Sequence, residues 1–454
     1  SGNNIANNLI GIGLGSSSNN SVSGNNITAN NWNGIWLDSS SNNSISENVF
    51  VNDGLFLYDS YDNVVADNLV NGKPLVYLEG VSDVVVEDAG QVILVSSNRI
   101  TVENLNLSNT DVGIELLNTD NTEISGNNLT NNGNGIWLDS SSNNSVSGNN
   151  ITANNYYGIW LGSSSNNSVS GNNITANNWN GIWLDSSSNN SVSGNNITAN
   201  NYYGIRLDYS SNNSVSGNNI ANNYYGIRLD HSSNLNRFYH NNFVNNTQQV
   251  YSHASINVWD DGYPSGGNYW SDYTGVDFYQ GPYQNITGSD EIGDTPYVID
   301  ANNQDCYPLM NPWTPPPPKV HDVAVISVVP SATEVYVGQV VNITVVVSNE
   351  GNATETFTVT CKYELEGVEH LIGTQTVNNL APDANTTLTF NWTTTDITVH
   401  AIKAEATTLV GETDVDDNTL TSPTTVKVKL LGDFNNDDTV NILDCILAAA
   451  AFGT

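Results

Sequence analysis

Short alternating apolar runs recur along the chain at a fixed interval. In the unit that starts at Gly135, Ile136 and Leu138 alternate with outward positions, and Val146 and Ile151 stand alone among Ser and Asn. Period-2 alternation between Ser/Asn/Gly clusters is typical of short strands joined by turns. Neighbouring units lie 22 or 23 residues apart, and they begin at Gly11, Gly34, Gly135, Gly158, Gly181, Gly204 and Gly226. A repeat of this size predicts a solenoid, in which each unit buries its apolar face against its neighbours.

Three strands and three turns fill one unit, which predicts one coil of a three-sided parallel β-helix rising by ~4.8 Å. Ile136 would then stack on Ile159 of the next coil, and Val146 on Val169. Paired asparagines at 143–144 recur at 166–167, 189–190 and 212–213, so we expect turns and stacked amide ladders. On these features the units resemble the NosD-type right-handed parallel β-helix repeats of archaeal surface proteins.

The remainder of the chain changes character several times. The aromatic, Gly-rich stretch after Leu235 resembles the segment that ends NosD-type domains, and we expect it to cover the open edge of the last coil. A polyproline run follows as a stiff spacer. The predicted boundaries are 1–234 for the β-helix, with an irregular insertion at 51–111, then 235–313 for its cap, 314–319 for the linker, 320–429 for a second module and 430–454 for a tail.

The second module alternates apolar and polar residues, as in 340–347 and 357–363, which predicts an Ig-like antiparallel β-sandwich. The stretches 349–352 and 380–382 make it resemble a CARDB-type adhesion module. The predicted fold class is therefore all-β: a right-handed three-sided parallel β-helix, an Ig-like sandwich and a short EF-hand-like loop-helix tail.

The tail carries oxygen-bearing side chains at the spacing of an EF-hand calcium loop. Positions 1, 3, 5, 9 and 12 are Asp433, Asn435, Asp437, Asn441 and Asp444, and position 7 would supply the carbonyl of Thr439. With the apolar run 442–452 after it, the tail resembles half of a type I dockerin. It departs from that pattern at Asp438, where Gly is usual, and in having one half only. We expect calcium at this loop, an acidic loop with an Ala-rich helix being the alternative, and no organic cofactor.

The net charge is −36 although only 12% of residues are charged, because Lys and Arg total 10. Such a surface repels nucleic acid and anionic membrane and attracts divalent cations. The chain contains no apolar run long enough to span a bilayer. Residues 1–5 match 147–151 in the middle of a coil, so we expect a processed or truncated segment.

Glycosylation sequons are dense, although an Asn/Ser/Thr-rich repeat also produces them by chance. The four in the second module favour a secreted, glycosylated, cell-surface protein more than those in the repeat do. The candidate sites are Asn19, Asn26, Asn42, Asn106, Asn128, Asn143, Asn150, Asn166, Asn173, Asn189, Asn196, Asn212, Asn245, Asn285, Asn342, Asn352, Asn385 and Asn391.

Two rows of large side chains are expected on the outside of the β-helix. The first is a candidate contact surface that comprises Trp36, Trp137, Trp160, Trp183, Arg206 and Arg228. The second, at a coil corner, comprises Trp32, Tyr156, Tyr157, Trp179, Tyr202, Tyr203, Tyr224 and Tyr225. Exposed aromatic rows can bind a protein partner or stack on glycans, or they can simply stabilise the solenoid. Aspartates also recur at one coil position (38, 139, 185, 208 and 230), and Gly162 interrupts them.

We predict no catalytic residues. β-Helix folds host polysaccharide lyases and hydrolases, which need acids and bases together. Acids and bases meet here only at Arg206, Asp208, Arg228, Asp230 and His231, which fill ordinary repeat positions. The copper role of NosD does not follow from a repeat alone, because the soft ligands (His231, His240, His253, Cys306 and Met310) have no recognisable spacing.

The leading interpretation is an extracellular structural protein that assembles head to tail into a filament, sheath or surface layer. An uncapped first coil and half of a two-part module motivate that self-association. The alternative is an adhesin that binds carbohydrate through its aromatic row, and a polysaccharide-active enzyme is the third reading.

Overall fold

The computed structural model describes residues 1–452, so positions 453–454 of the predicted tail lie outside the described residues. The chain forms two compact units, Ser1–Pro315 and the part from Pro316 onward. The first unit is a β-solenoid with three faces, and the second contains antiparallel sheets and the only helix of the described residues. The predicted fold class is therefore confirmed.

The solenoid begins with the first coil stack, residues 1–70. Its first face has the strands Ile10–Gly15, Asn33–Asp38 and Leu55–Tyr58. Its second face has Ser21–Ser23, Ser44–Ser46 and Val64–Ala66. Its third face has Asn4–Ala6, Asn26–Thr28, Val49–Val51 and Leu69–Val70. All pairs within this stack are parallel.

The second coil stack spans residues 73–252. Its first face comprises Lys73–Glu79, Gln91–Val95, Val112–Leu117, Asn134–Asp139, Ile159–Gly162, Asn180–Asp185, Tyr203–Asp208, Tyr225–Asp230 and Gln248–Ser252. Its second face comprises Ser82–Val86, Asn98–Glu103, Glu123–Ser125, Ser145–Ser147, Ser168–Ser170, Ser191–Ser193, Ser214–Ser216 and Arg237–Tyr239. Its third face comprises Asn106–Ser108, Asn128–Thr130, Asn150–Thr152, Asn173–Thr175, Asn196–Thr198, Asn219–Ala221 and Asn242–Val244.

Apolar side chains fill the interior of each coil in register. Ile136 pairs with Ile159 and Val146 with Val169, and all four are fully buried. Because one residue type stacks on itself from coil to coil, the core is a set of continuous apolar columns. The predicted inward residues are thus confirmed.

Buried asparagines connect successive coils at the corners. The side-chain oxygen of Asn172 accepts hydrogen bonds from the backbone N–H and the Nδ2 of Asn149, both at 2.9 Å. The Nδ2 of Asn172 donates to the carbonyl of Val146 at 2.9 Å. The ladder continues through Asn195 and Asn218. These amides satisfy turn N–H groups that the three short strands of a coil leave unpaired, and the expected ladders are confirmed.

The two coil stacks are not one continuous helix. After Val70 the chain reverses, and Lys73–Glu79 pairs antiparallel with Leu69–Val70. The third face of the first stack therefore continues as the first face of the second. A single parallel rod, interrupted only by an insertion, was the wrong expectation here. The turn at Asn71 and Gly72, both with positive φ, makes the reversal possible.

The strands Gln91–Val95 and Val112–Leu117 are buried on both faces. Val92 and Leu94 point into the second stack, whereas Ile93, Val95 and Leu117 pack with the core of the first. The open end of the first stack is thus closed by the outer face of the second. We call this contact the junction.

A cap follows the last coil. It contains Tyr269–Trp270, which extends the third face, and two hairpins, Tyr279–Gln280 with Ile286–Thr287 and Tyr297–Asp300 with Asn303–Asp305. Trp259 stacks on Phe238 and Trp270 on Phe243, each with centroids 4.2 Å apart. The end of the core is covered by aromatic rings, but the predicted cap boundary at 235 was too early, because Arg237–Tyr239, Asn242–Val244 and Gln248–Ser252 still form a coil.

The second unit has three small sheets. The first sheet comprises Val323–Pro330, Val340–Asn349 and Asn385–Thr393. The second comprises Val368–Leu380, Glu355–Leu365, Ile402–Ala406 and Thr419–Thr421. The third comprises Glu334–Tyr336, Val426–Lys429 and Val399–His400. Phe357, Phe390 and Trp392 are buried between them. The tail ends in the helix Ile442–Phe452.

Candidate functional site

The predicted contact row is divided between the two coil stacks. Trp137, Trp160, Trp183, Arg206 and Arg228 occupy one register position on successive strands of the second stack. Trp36 lies on the first stack, on the strand Asn33–Asp38. The row is less exposed than expected, since only 8% of Trp160 is accessible. Its indole stacks on that of Trp137, with centroids 3.7 Å apart.

Gly162 interrupts the aspartate row for a steric reason. A Cβ at this position would collide with the Trp160 ring, so the indole takes the space that the aspartate occupies in other coils. Asp38, Asp139 and Asp185 accept hydrogen bonds from the serines that follow them, as with Ser140 and Asp139 at 3.2 Å, whereas Asp208 and Asp230 pair with arginines. The aspartates are therefore satisfied within the solenoid.

The junction creates a concave surface that the sequence did not reveal. We call it the aromatic cleft. Its eleven lining residues are Ile10, Trp32, Asn33, Trp36, Phe56, Asp111, Asn134, Trp137, Tyr156, Tyr157 and Trp179, and its volume is about 390 Å³. Ligand sites in proteins are commonly apolar concavities of ~300–1,000 Å³ with a few polar groups.

Each wall of the aromatic cleft comes from a different stack. Trp32, Trp36 and Phe56 belong to the first stack and face aromatic residues of the second. The rings of Phe56 and Trp137 are in edge-to-face contact, with centroids 5.2 Å apart. At the rim, Trp32 is 53% and Trp179 47% exposed, so the cleft is open to solvent.

Polar side chains hold the junction under the cleft. The Asp111 carboxylate accepts the N–H of Gly34 at 2.9 Å, and Gln91 accepts the N–H of Leu55 at 3.0 Å and donates to its carbonyl at 2.6 Å. These side chains hydrogen-bond the backbone groups of Gly34 and of Leu55, at the free edge of the strand Leu55–Tyr58. Without them, that edge would be open to pairing with a further strand.

Buried acids accompany these contacts. Burial and the nearby Asp53 raise the pKa of Asp111 well above its ordinary value. Burial also raises the pKa of Glu115, which accepts the N–H of Leu57 at 3.1 Å. The pKa of Asp53 is raised to about 6, chiefly by burial. The acids below the cleft are therefore biased toward their neutral forms.

Hydrogen-bonding groups remain available in the cleft. The indole N–H of Trp137 is not among them, because it is buried without an acceptor among the described residues, as are those of Trp160 and Trp183 in the same row. Asn33 and Asn134 contribute amides to the lining. Aromatic faces beside a few donors and acceptors suit a ligand with both apolar faces and hydroxyl groups.

The candidate acids and bases of the second stack form a paired network. Arg206 Nη2 donates to Asp208 at 2.9 Å, and Arg228 Nε donates to Asp230 at 2.7 Å. His231 Nδ1 lies 2.7 Å from Asp208. An ion-pair cluster of this kind can be purely structural, so it does not by itself indicate catalysis. The prediction that the chain is not an enzyme stays a prediction.

The tail loop brings together three of its predicted ligands. The carboxylates of Asp433, Asp437 and Asp444 lie within 4.8 Å of one another. Asp444 accepts the N–H groups of Phe434 and Asn441 at 2.7 and 2.9 Å. The other three candidates are part of the same loop, where Thr439 Oγ1 donates to Asp437 at 2.6 Å, and Asn435 and Asn441 hydrogen-bond within it.

Asp438 occupies the loop position at which the dockerin pattern expects glycine. Its φ is 62°, the left-handed conformation that favours Gly and that Asp tolerates better than most residues. The backbone therefore has the turn that the missing glycine would provide.

The sequons fall into three structural groups. Those at coil corners have positive φ: Asn19, Asn42, Asn143, Asn166, Asn189 and Asn212, with Asn245 near the cap. Those that begin third-face strands are Asn26, Asn106, Asn128, Asn150, Asn173 and Asn196. Asn285 is exposed in the cap, and Asn342, Asn352, Asn385 and Asn391 lie in the second unit. Their glycosylation stays a prediction.

Three family models match separate parts of the chain. Residues 112–280 match the right handed beta helix region, 1–82 match the periplasmic copper-binding protein (NosD) family, and 322–422 match CARDB. The resemblances to NosD-type repeats and to CARDB modules are thereby confirmed. None of these three matches reaches the tail, whose dockerin-like interpretation stays a prediction.

The NosD and CARDB matches fit an extracellular surface protein. The stretch that matches NosD contains no His, Cys or Met, so it offers no soft copper ligand. Among the described residues, no helix has the length and apolar character needed to cross a membrane.

Solved structures with similar parts include the CARDB domain of a Pyrococcus furiosus protein in complex with di-metal ions. It is 26% identical, with a TM-score of 0.21, and the match covers 24% of this chain and 96% of that one. A periplasmic alginate epimerase is 17% identical, with coverage of 51% and 64% and a TM-score of 0.34. The A-module of an Azotobacter vinelandii mannuronan C-5 epimerase is 15% identical, with coverage of 53% and 78% and a TM-score of 0.35. Comparison with curated proteins gave no match.

Proposed function

We propose that this chain is a cell-surface protein that binds carbohydrate in the aromatic cleft. The observation that carries the proposal is the pair of facing aromatic walls, one from each coil stack, over a floor with polar side chains. A sugar ring offers C–H faces that stack on aromatic rings and hydroxyl groups that need hydrogen-bond partners. Both are supplied here, by the rings of Trp32 and Trp179 and by the amides of Asn33 and Asn134.

The cleft is built before any ligand arrives. Asp111 and Gln91 hold the first stack against the second through backbone atoms of Gly34 and Leu55. Trp137 is fixed between Phe56 and Trp160. A site whose side chains are already ordered loses less entropy on binding, which favours recognition of a flexible chain.

Affinity electrophoresis through gels that contain neutral or acidic polysaccharides tests this proposal. The variant Trp32→Ala/Trp179→Ala removes one ring from each side of the rim. We expect the native chain to be retarded by at least one polysaccharide and the double variant to migrate freely. Tyr224→Ala is the matched control, because Tyr224 occupies the repeat position of Trp179 outside the cleft.

A structural role as a subunit of a filament, sheath or surface layer is the second candidate. The uninterrupted amide ladders of the second stack, such as Asn149–Asn172–Asn195–Asn218, favour it because they make a stiff rod. Negative-stain electron microscopy of the native cell surface distinguishes the roles. Ordered fibres or sheets that contain the chain support assembly, whereas isolated rods argue against it.

We also propose that the tail loop binds calcium. Its convergent carboxylates, Asp433, Asp437 and Asp444, are hard oxygen ligands of the kind Ca²⁺ prefers. Asn435, Asn441 and the carbonyl of Thr439 would complete the set that the spacing predicts. Isothermal titration of the full chain with CaCl₂ tests this, and absence of heat with no change in thermal stability would reject it.

A further inference from the structure

The charges around the aromatic cleft bear on which class of saccharide it accepts. Of the eleven residues that the structure places around the cleft, none is basic and only Asp111 is acidic. Asp111 is 6% exposed, so its carboxyl lies at the base of the cleft. The remainder of the lining is aromatic, aliphatic or amide. A ligand in the cleft would therefore meet no positively charged group.

The groups behind the lining are acids as well. Glu115 and Asp53 are buried close to Asp111; Asp53 raises the pKa of Asp111, and Asp111 raises that of Glu115. A carboxylate moved from water to such a place loses its hydration and gains no cation. Chains of uronic acids carry one such carboxylate on every sugar.

Guanidinium groups elsewhere on the same face are already engaged. Arg206 contacts both Asp208 and Asp230, at 2.9 and 3.2 Å, and lies 4.8 Å above the Trp183 ring. Arg228 bonds Asp230 and the hydroxyl of Tyr203. Neither is free to neutralise a bound uronate without breaking these contacts.

From these charges we infer that the cleft binds a neutral saccharide, a chain of hexoses or N-acetylhexosamines, and excludes uronic acid chains. This inference rests on the proposed carbohydrate-binding function. The amides of Asn33 and Asn134 match hydroxyl and acetamido groups, which both donate and accept. The stacked rings match the uncharged faces of the sugar.

Isothermal titration of the full chain with four hexasaccharides tests the inference. The probes are cellohexaose, mannohexaose, chitohexaose and hexamannuronate, in physiological salt with a chelator to prevent cation bridging. We expect at least one neutral probe to bind about tenfold or more tightly than hexamannuronate. Trp32→Ala/Trp179→Ala should weaken that binding about tenfold or more, and Tyr224→Ala should leave it unchanged.

Each result of this titration decides something. Equal or tighter binding of hexamannuronate, lost in the double variant, overturns the inference and leaves the proposed function standing. If the native chain binds none of the four probes, or if the double variant binds as well as native, the cleft is not a carbohydrate site and both fall. As a second variant, Asn134→Arg places a cation in the lining and should improve hexamannuronate binding; no improvement would contradict the electrostatic explanation.

Discussion

The carboxylate of Asp111 accepts a hydrogen bond from the backbone N–H of Gly34, 77 positions earlier, at 2.9 Å. This one contact links the two coil stacks at the base of the aromatic cleft. Asp111→Ala leaves that buried N–H without an acceptor, and we expect a loss of about 1–3 kcal/mol in the free energy of unfolding. Urea unfolding followed by Trp fluorescence measures it.

Asp111→Asn is the control for this prediction. The amide oxygen can still accept from Gly34, so the loss should be clearly smaller than with alanine. Equal losses would mean that the hydrogen bond is not what the carboxylate contributes.

Asp53 stands where other coils have a ladder asparagine, and this predicts a stabilising substitution. Its Oδ2 accepts the N–H and Nδ2 of Asn30, both at 2.9 Å, but its buried Oδ1 has no partner. Asp53→Asn keeps the acceptor and removes a buried charge, so we expect a gain of roughly 1–2 kcal/mol at pH 8. Thermal unfolding at pH 8 checks the sign, and a loss would show that the site requires the carboxylate.

The raised pKa values also predict how stability depends on pH. Asp53 and Asp305, chiefly through burial, have pKa values of about 6 and about 7, whereas an unfolded Asp titrates near ~3.9. The folded chain thus holds protons more tightly, so this stabilisation is complete below pH ~4 and is lost as the pH rises through 6 and 7. The melting temperature of the solenoid should fall between pH 4.5 and 8.

The Asp53→Asn variant tests the assignment of that pH dependence. With one of the two groups removed, the fall in melting temperature around pH 6 should become shallower. An unchanged profile would assign the effect to other groups.

The amide ladders predict that two neighbouring asparagines contribute very differently to the free energy of unfolding. Asn195 is buried and accepts from the N–H and Nδ2 of Asn172, while its own Nδ2 donates to Val169 at 2.9 Å. Asn195→Ala leaves several buried groups unpaired, and we expect a loss of about 3 kcal/mol or more. Asn196 is more exposed, so Asn196→Ala should cost under ~1 kcal/mol. Similar losses for the pair, measured by urea unfolding, would contradict the ladder model.

For the tail, Asp437→Asn should weaken calcium binding because it removes one of three convergent carboxylates. We expect about a tenfold rise in the dissociation constant measured by isothermal titration. Asp416→Asn removes an exposed acid outside the loop and should have no effect. Equal effects would indicate nonspecific binding to a highly acidic chain.

The coils were predictable because every level of the sequence agrees. Ile136 and Val146 recur in register, and the asparagines recur at the turns between them, so local and tertiary preferences coincide. The junction was not predicted, because contacts such as Leu57 with Glu115 depend on a chain reversal between them. One signal was present: the apolar run 92–95 does not alternate, as expected for a strand buried on both faces.

The predicted contact row was also only partly predictable from the sequence. Its register was correct from Trp137 to Arg228, since repetition alone fixes it. Trp36 and Trp137 line the same cleft because the chain reverses after Val70, which the repeat does not encode. A cleft assembled from two copies of one motif is invisible when the motif is considered coil by coil.

The near-identity of the coils between Gly135 and Asp230 gives the chain a way to change length during evolution. Unequal recombination within this stretch would add or delete whole coils, and each would move the cap by ~4.8 Å. The cleft residues of the second stack end at Trp179 and the cap follows the last coil, so recombination among the coils from Gly181 onward would require no compensating mutation in either. Homologous chains with longer or shorter rods would then carry the same binding surface at a different distance from the cap.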